Sequence, residues 1–131
     1  MNSLVDTHTF IWWITADARL TAAAKAAIEE RLTGDRLFLS VASAWEIAIK
    51  VGKGRLTLPI NPGELLPFAE RRDFIVLGLK AAHIQAVADL PQFPTHRDPF
   101  DRMLIAQAQV ERLRIITIDA KFALCDVPVL W

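Results

Sequence analysis

Short apolar runs alternate along this chain with longer segments of helical periodicity, and this alternation restricts the fold more than any other feature of the sequence. The runs that predict strands lie at residues 4–5, 36–40, 74–79 and 114–117, with 127–130 as an edge strand. The helical segments follow Asp6 and occupy residues 22–32, 43–51, 64–72, 81–90 and 101–113. Strands separated by helices are connected by right-handed crossovers into a parallel sheet. The sequence therefore predicts an α/β fold in three layers, with a mostly parallel central sheet flanked by helices.

Particular residues predict where some of these segments begin and end. Gly34 predicts a glycine cap that ends the helix at residues 22–32, and Pro62 predicts the start of the helix at 64–72. The continuous apolar run at 74–79 is typical of an interior strand. We find no repeat and no interdomain linker in the 131 residues, and we therefore expect one domain over the whole chain.

The charge balance and the cysteine content exclude several classes of protein. Fifteen basic residues match fifteen acidic ones, so any contact with nucleic acid must depend on local charge. Cys125 is the only cysteine, which excludes an internal disulfide and cysteine-based zinc sites and favours a reducing, cytoplasmic environment. The apolar start at residues 4–14 is interrupted by Asp6 and His8 and is too short to span a bilayer, so we expect no membrane segment.

Four acidic residues lie where the predicted fold would bring them to one edge of the sheet. Asp6 and Asp119 follow strands, Glu46 lies on the helix after the second strand, and Asp101 begins the helix before the fourth strand. Ligands of open parallel sheets bind beyond the carboxyl ends of the strands. Gathered carboxylates repel one another, and a divalent cation removes that cost. A set of oxygen donors without histidine or cysteine favours Mg²⁺ or Mn²⁺, ions that assist phosphodiester hydrolysis.

Each acid taken alone also has a structural interpretation. Ser43 and Glu46 have the spacing of a capping box, in which the glutamate returns a hydrogen bond to the start of its helix. Asp6 and Asp119 can each cap the segment that follows them. The hypothesis of a metal site therefore rests on the joint placement of the acids.

Four blocks of the sequence together resemble a PIN domain, and specifically a VapC-type toxin. The blocks are LVDTHTFIWW, SAWEIAIKVGKGRLTL, HRDPFDRMLIAQA and RIITIDAKFA, and they extend over nearly the whole chain. The resemblance implies a metal-dependent endoribonuclease with Asp6, Glu46, Asp101 and Asp119 as its catalytic and metal-binding acids. It also implies RNA as substrate, a homodimer, and a cognate antitoxin with a segment over the active groove.

Asp98 and Asp101 lie three residues apart, and both can face the same site from one helical turn. Asp98 precedes a proline and is well placed to cap the helix, which is the role that we favour for it. Asp101 is eighteen residues before Asp119, and this separation suits the family pattern better. We therefore predict Asp101 as the ligand and leave Asp98 open as a further one.

Basic residues near the acids are candidates for contact with RNA. Lys50, together with Lys53 and Arg55 on a glycine-containing loop, is a candidate for phosphate binding, although solvated surface charge is an alternative for each. Arg97 and Arg102 flank the acidic helix start and either orient Asp98 or Asp101 or bind the scissile phosphate.

Hydroxyl and aromatic side chains supply further candidates. Thr7 and Thr117 flank the first and fourth acids, where a hydroxyl can hold a metal-bound water or orient a carboxylate, or make a plain turn hydrogen bond. We interpret His8 as a surface residue and not as a ligand. The tryptophans are candidates for a protein interface or for the core, and they are Trp12, Trp13, Trp45 and Trp131.

Two other enzyme classes fit the sequence less well. A phosphatase of the haloacid dehalogenase type needs an aspartate where His8 stands, and a receiver domain needs one at the end of the run at 74–79. A housekeeping PIN nuclease without an antitoxin stays an alternative. So does a catalytically inactive module that binds RNA or a partner, although the complete set of four acids argues against it.

Overall fold

The computed structural model describes residues 1–31, 34–92 and 98–131. In this part, five strands form one sheet of order β3-β2-β1-β4-β5, and all neighbouring strands are parallel. The strands are β1 (Ser3–Val5), β2 (Leu37–Ser40), β3 (Phe74–Leu77), β4 (Arg114–Ile116) and β5 (Val129–Leu130). The helices are α1 (Thr7–Ile14), α2 (Ala22–Glu29), α3 (Val41–Gly52), α4 (Leu65–Arg71), α5 (Ala81–Asp89) and α6 (Pro99–Glu111). Short 3-10 turns lie at Pro62–Glu64 and Ala120–Cys125. The predicted α/β fold with a parallel sheet is confirmed.

Helices cover both faces of the sheet because successive strand residues point to opposite sides. On one face, Val5 of β1 packs in a cluster that includes side chains of α1, α2 and α4. On the other face, Leu4 packs in a second cluster with side chains of α6 and the 3-10 turn at Ala120–Cys125. Residues 115 and 116 of β4 divide between the two clusters in the same way. The fold therefore has the predicted three layers.

The strand order reverses beside β1. The chain runs from β1 through β2 to β3 and then returns to β4 on the opposite side of β1. Asp6 directly follows β1, and its backbone N–H donates to the carbonyl of Ile116 at 3.1 Å, which joins the carboxyl ends of β1 and β4. This reversal is where ligands bind in doubly wound sheets.

Several predicted boundaries differ from the structure, and two of the differences change the residue assigned as a cap. Helix α2 ends at Glu29 with Glu30 as its C-cap, so Gly34 lies beyond the helix and is not its cap, although its φ is +94°. Residue 32, the predicted end of α2, lies outside the described residues. Helix α3 begins at Val41 and not at Ser43, because the side chain of Ser40 accepts the N–H of Ala42 at 3.0 Å and caps the helix there.

Strand β3 lies at an edge of the described sheet, which corrects the prediction of an interior strand. It pairs with β2, and its residue Ile75 is 39% exposed. Pro62 begins a 3-10 turn capped by Asn61, and α4 follows from Leu65. Among the described residues, no helix combines the length and the apolar character needed to cross a bilayer.

Candidate active site

Asp6 stands at the carboxyl end of β1, and its side chain is buried. The residue occupies the N-cap position of α1, but its carboxylate makes no capping hydrogen bond, so the structural interpretation of Asp6 as a cap is wrong. Its Oδ2 accepts the hydroxyl of Thr117 at 3.0 Å. Its Oδ1 is buried with no hydrogen-bond partner among the described residues. Burial raises the pKa of Asp6 to about 6, because the carboxylate form loses hydration.

Thr117 connects the two acids that follow β1 and β4. Its hydroxyl donates to Asp6 and accepts the backbone N–H of Asp119 at 3.0 Å. Asp119 in turn accepts the N–H of Lys121 at 2.9 Å and caps the 3-10 turn that follows, so the capping interpretation of Asp119 is confirmed. A buried hydroxyl with both bonds made holds the two acids in a fixed relation.

Glu46 lies within α3 and is only 5% exposed. The helix is capped by Ser40, so the capping-box interpretation of Ser43 and Glu46 is wrong. Oε2 of Glu46 lies 3.0 Å from Nζ of Lys50, one helical turn further along. Oε1 is buried and meets no hydrogen-bond partner in the described part of the chain. Burial of a carboxylate with one unsatisfied oxygen is costly and indicates a function beyond helix capping.

Asp98 and Asp101 have different roles at the start of α6. Oδ1 of Asp98 accepts the N–H groups of Phe100 at 2.8 Å and Asp101 at 3.0 Å, which confirms Asp98 as the N-cap. Asp101 is half-buried in the first turn. Burial, reinforced by neighbouring carboxylates, raises the pKa of Asp101 to about 8. The carboxylates that act on it are those of Asp6, Asp98, Glu46 and Asp119.

These charge effects place the acidic residues in one region. Coulomb interactions between carboxylates weaken with distance and with exposure, so groups that raise one another's pKa lie near each other. We use the name acidic cluster for Asp6, Glu46, Asp98, Asp101 and Asp119. Over residues 1–31, 34–92 and 98–131, no group of three Asp, Glu, His or Cys side chains is close enough together to hold a metal ion as the side chains stand. Asp6 and Glu46 nevertheless each have one buried oxygen with no partner in the described part of the chain, and such oxygens suit a hard cation.

Two residues predicted to contact substrate are buried and make other contacts. The hydroxyl of Thr7 donates to Oγ of Ser43 at 2.9 Å and ties α1 to α3. The guanidinium of Arg102 donates to the carbonyls of Pro91 at 2.9 Å and Leu90 at 3.3 Å. Arg102 thus holds the end of α5, and its hydrogen bonds do not orient Asp98 or Asp101. A role of either residue in substrate binding stays a prediction, and the predicted Arg97 lies outside the described residues.

Two residues near the acids were not predicted as part of the site. Ser43 receives the hydroxyl of Thr7 inside the helix that carries Glu46. His8 is exposed, its Nε2 lies 3.5 Å from Nζ of Lys50, and its charge lowers the pKa of Asp6 against the effect of burial. The signal for His8 was its position two residues after Asp6 in a helix that starts at the site.

The fold and the acidic cluster define a doubly wound α/β protein with its candidate site at the reversal of strand order. The chain belongs to the PIN domain family, whose model matches residues 3–127. PIN domains are generally nucleases, which hydrolyse phosphodiester bonds. The predicted resemblance to this family is therefore confirmed. No curated protein matches the sequence.

Several solved structures are similar to this chain over nearly its full length. A chain of the VapBC2 complex from Rickettsia felis, bound to a promoter DNA fragment, superposes with a TM-score of 0.76 at 15% identity, covering 99% of this chain and 98% of that chain. A chain of VapBC-1 from nontypeable Haemophilus influenzae gives 0.67 at 17% identity, with 99% and 97% covered. A chain of FitAcB from Neisseria gonorrhoeae gives 0.66 at 17% identity, with 98% and 96% covered. At these identities the similarity shows a shared fold.

Proposed function

We propose that this chain is a metal-dependent endoribonuclease that acts as the toxin of a toxin-antitoxin pair. The observation that carries the proposal is the acidic cluster at the reversal of strand order, in which Asp6 and Glu46 each keep one buried oxygen without a hydrogen-bond partner among the described residues. Membership of the PIN domain family makes hydrolysis of nucleic acid the activity that this cluster best supports.

Asp6, Asp101 and Asp119 would hold Mg²⁺ or Mn²⁺, and Glu46 would complete the site. Such an ion, when bound, supplies an activated water and stabilises charge on a phosphodiester under attack. Thr117 keeps the carboxylates of Asp6 and Asp119 in register by its two hydrogen bonds. We assign Asp98 to capping, because its Oδ1 already accepts two backbone N–H groups.

Glu46 and Lys50 have separate roles in the proposed mechanism. Lys50 fixes Oε2 of Glu46 at 3.0 Å, which leaves Oε1 to accept a hydrogen bond from the attacking water. The half-buried ammonium of Lys50 also offsets part of the negative charge that phosphate would meet at the acidic cluster. RNA is the substrate that we propose, with phosphate contacts made by the basic side chains beside α3.

An antitoxin partner is supported by an apolar surface beside the acidic cluster. A cavity of about 550 Å³ is lined by Trp45, Leu79, Val87, Phe100 and Met103 among other residues. Trp45 is 60% exposed and neighbours Glu46 in sequence, and Phe100 neighbours Asp101. Phe100 is half-buried, and an exposed tryptophan beside an apolar cavity is typical of protein-binding surfaces. A similar structure from Klebsiella pneumoniae is a toxin-antitoxin complex, which supports a protein partner for this chain.

We also propose a homodimer in the cytoplasm. The test of the homodimer is the molar mass of the purified chain by light scattering, and a monomer at every concentration would contradict it. The alternative without an antitoxin predicts a chain that does not harm its host. Expression alone and together with the neighbouring reading frame separates the two, because a toxin arrests growth alone and the antitoxin restores it.

The decisive experiment is an RNA cleavage assay with Mg²⁺, with Mn²⁺ and with chelator, on wild type and Asp6→Asn. We expect metal-dependent cleavage by the wild type and a loss of at least about 100-fold in the variant, since one carboxylate ligand is neutralised. Asp89→Asn is the matched control, because Asp89 is exposed at the end of α5 and outside the acidic cluster. Equal cleavage by wild type and Asp6→Asn, with contaminating nuclease excluded, would refute the assignment.

A further inference from the structure

A second cleft adjoins the acidic cluster on the side of α1 and α3. It encloses about 440 Å³, within the range of roughly 300–1,000 Å³ that is usual for ligand pockets. Its lining has an apolar part and a polar part, and the residues that matter here are Ile11, Trp12, Leu56, His8, Lys50 and Arg55. We refer to this as the α1–α3 cleft. It meets the acidic cluster through Lys50, which contacts Glu46 at 3.0 Å.

The turn after α3 brings Arg55 to this cleft. The helix ends at Gly52, and Gly54 adopts a φ of +69°, a conformation that L side chains rarely adopt. The backbone N–H of Arg55 then donates to the carbonyl of Lys50 at 2.9 Å, so the chain folds back over the last turn of the helix. Lys50 and Arg55 therefore line one cleft.

The cleft is a local site of positive charge in a chain whose formal net charge is zero. Asp17 is its one carboxylate among the described residues, and Arg19 binds it through two side-chain hydrogen bonds of 3.0 and 2.8 Å. No acidic group of the described chain lies within 4.0 Å of the exposed guanidinium of Arg55. The guanidinium of Arg55 is therefore not paired with a carboxylate of the described chain and can bind an anion.

An aromatic ring stands beside these cations. His8 is exposed, with its Nε2 3.5 Å from Nζ of Lys50, and its ring is tilted by 52° against Trp12 at a centroid distance of 6.2 Å. Trp12 is 9% exposed, and Cζ of Arg19 covers one face of its ring at 4.6 Å from the ring centroid. Trp12 therefore forms the floor of the cleft. An exposed ring next to cations is the combination that binds single-stranded nucleic acid, by stacking on a base and by contact with phosphate.

We propose that the α1–α3 cleft binds one nucleotide of single-stranded RNA next to the scissile phosphate. The base stacks on His8 over the apolar floor, and the adjoining phosphate contacts Arg55 and Lys50. This inference rests on the proposed nuclease function and adds to it a specific substrate subsite. It also explains how a chain without net positive charge engages a polyanion.

The test measures RNA binding separately from cleavage. Fluorescence anisotropy with a labelled single-stranded RNA of random sequence is recorded in chelator, at several salt concentrations. We expect His8→Ala to weaken binding at least roughly fivefold with little change in salt dependence, because a stacked base is lost. Arg55→Ala should weaken binding and lower the salt slope by about one, because one phosphate contact is lost.

Conservative variants and a control keep the result interpretable. His8→Phe retains a ring and Arg55→Lys retains a charge, so both should bind within about twofold of the wild type. Arg71→Ala removes an exposed arginine at the end of α4 and should have no effect. Circular dichroism verifies that every variant is folded.

Cleavage by the same proteins with Mn²⁺ separates the two proposals. If the wild type cleaves RNA while His8→Ala and Arg55→Ala bind as tightly as the wild type, the subsite is wrong and the nuclease proposal stands. If the wild type binds RNA through these residues but cleaves with neither metal, the nuclease proposal is wrong and the subsite stands.

Discussion

Asp6→Asn should stabilise the metal-free fold at alkaline pH and should not stabilise it in acid. Burial raises the pKa of Asp6 from its usual 3.8 to about 6. Because the folded pKa lies above the unfolded one, the folded chain holds the proton more tightly. Its stability therefore falls as the pH rises from about 4 to about 6. A shift of about two pKa units corresponds to about 3 kcal/mol above pH 6.

The net gain is smaller than this figure. The substitution weakens the hydrogen bond between Thr117 and Oδ2 of Asp6, at a cost of about 1 kcal/mol. The expected gain in the free energy of unfolding is therefore about 2 kcal/mol at pH 8. Near pH 4 the folded wild type carries this carboxyl mostly protonated, and the variant should be equal to it or slightly less stable.

Urea unfolding in chelator, followed by tryptophan fluorescence at pH 4 and pH 8, measures both differences. Asp89→Asn is the control, since its carboxylate is exposed and lies outside the acidic cluster. If Asp6→Asn lowers the free energy of unfolding equally at the two pH values, burial of an ionised Asp6 does not limit the stability of the metal-free fold, and the reasoning fails.

Three further predictions concern metal and pH. Mn²⁺ at roughly a hundred times its dissociation constant should stabilise the wild type by about 3 kcal/mol in urea, and Asp6→Asn should gain much less; equal gains would contradict binding at Asp6. Thr117→Val removes the hydroxyl between Asp6 and Asp119. The Mn²⁺ concentration that this variant needs for half-maximal cleavage should rise about 10- to 100-fold. An unchanged concentration would show that the hydroxyl does not orient the ligands. The pKa of Asp101 is raised to about 8. Metal affinity at subsaturating Mn²⁺ should therefore increase from pH 6 to pH 8 in titrations, and a flat profile would argue against Asp101 as a ligand.

The layer arrangement and the positions of the acids were predictable because both follow from local patterns. Strand and helix periodicities are properties of short windows, and the order of β and α segments implies a parallel sheet. Asp6 directly follows β1 and Asp119 lies three residues after β4, so the carboxyl edge of the sheet receives both of them. The role of Asp98 as a cap was predictable for the same reason, because capping depends on the neighbouring backbone alone.

The features that were missed depend on contacts between distant parts of the chain. The edge position of β3 follows from which strands pair, and the residues at 74–79 alone do not determine that pairing. The contact of Arg102 with the end of α5 depends on how α5 and α6 pack. The cap of α3 is an exception, since Ser40 and Ser43 are both local candidates and the helix begins directly after the strand, two residues earlier than the sequence indicated.

The hydroxyl of Thr117 has a consequence for how acid would regulate the site. The hydroxyl donates its single proton to Oδ2 of Asp6 and accepts the N–H of Asp119, so Oδ2 already has a partner. Oδ1 of Asp6 has no hydrogen-bond partner in the described chain, so it is the oxygen that stays open to a proton as well as to a metal ion. Hydrogen ions and a divalent cation would then compete for one atom, and acidification should act as a competitive inhibitor with respect to metal.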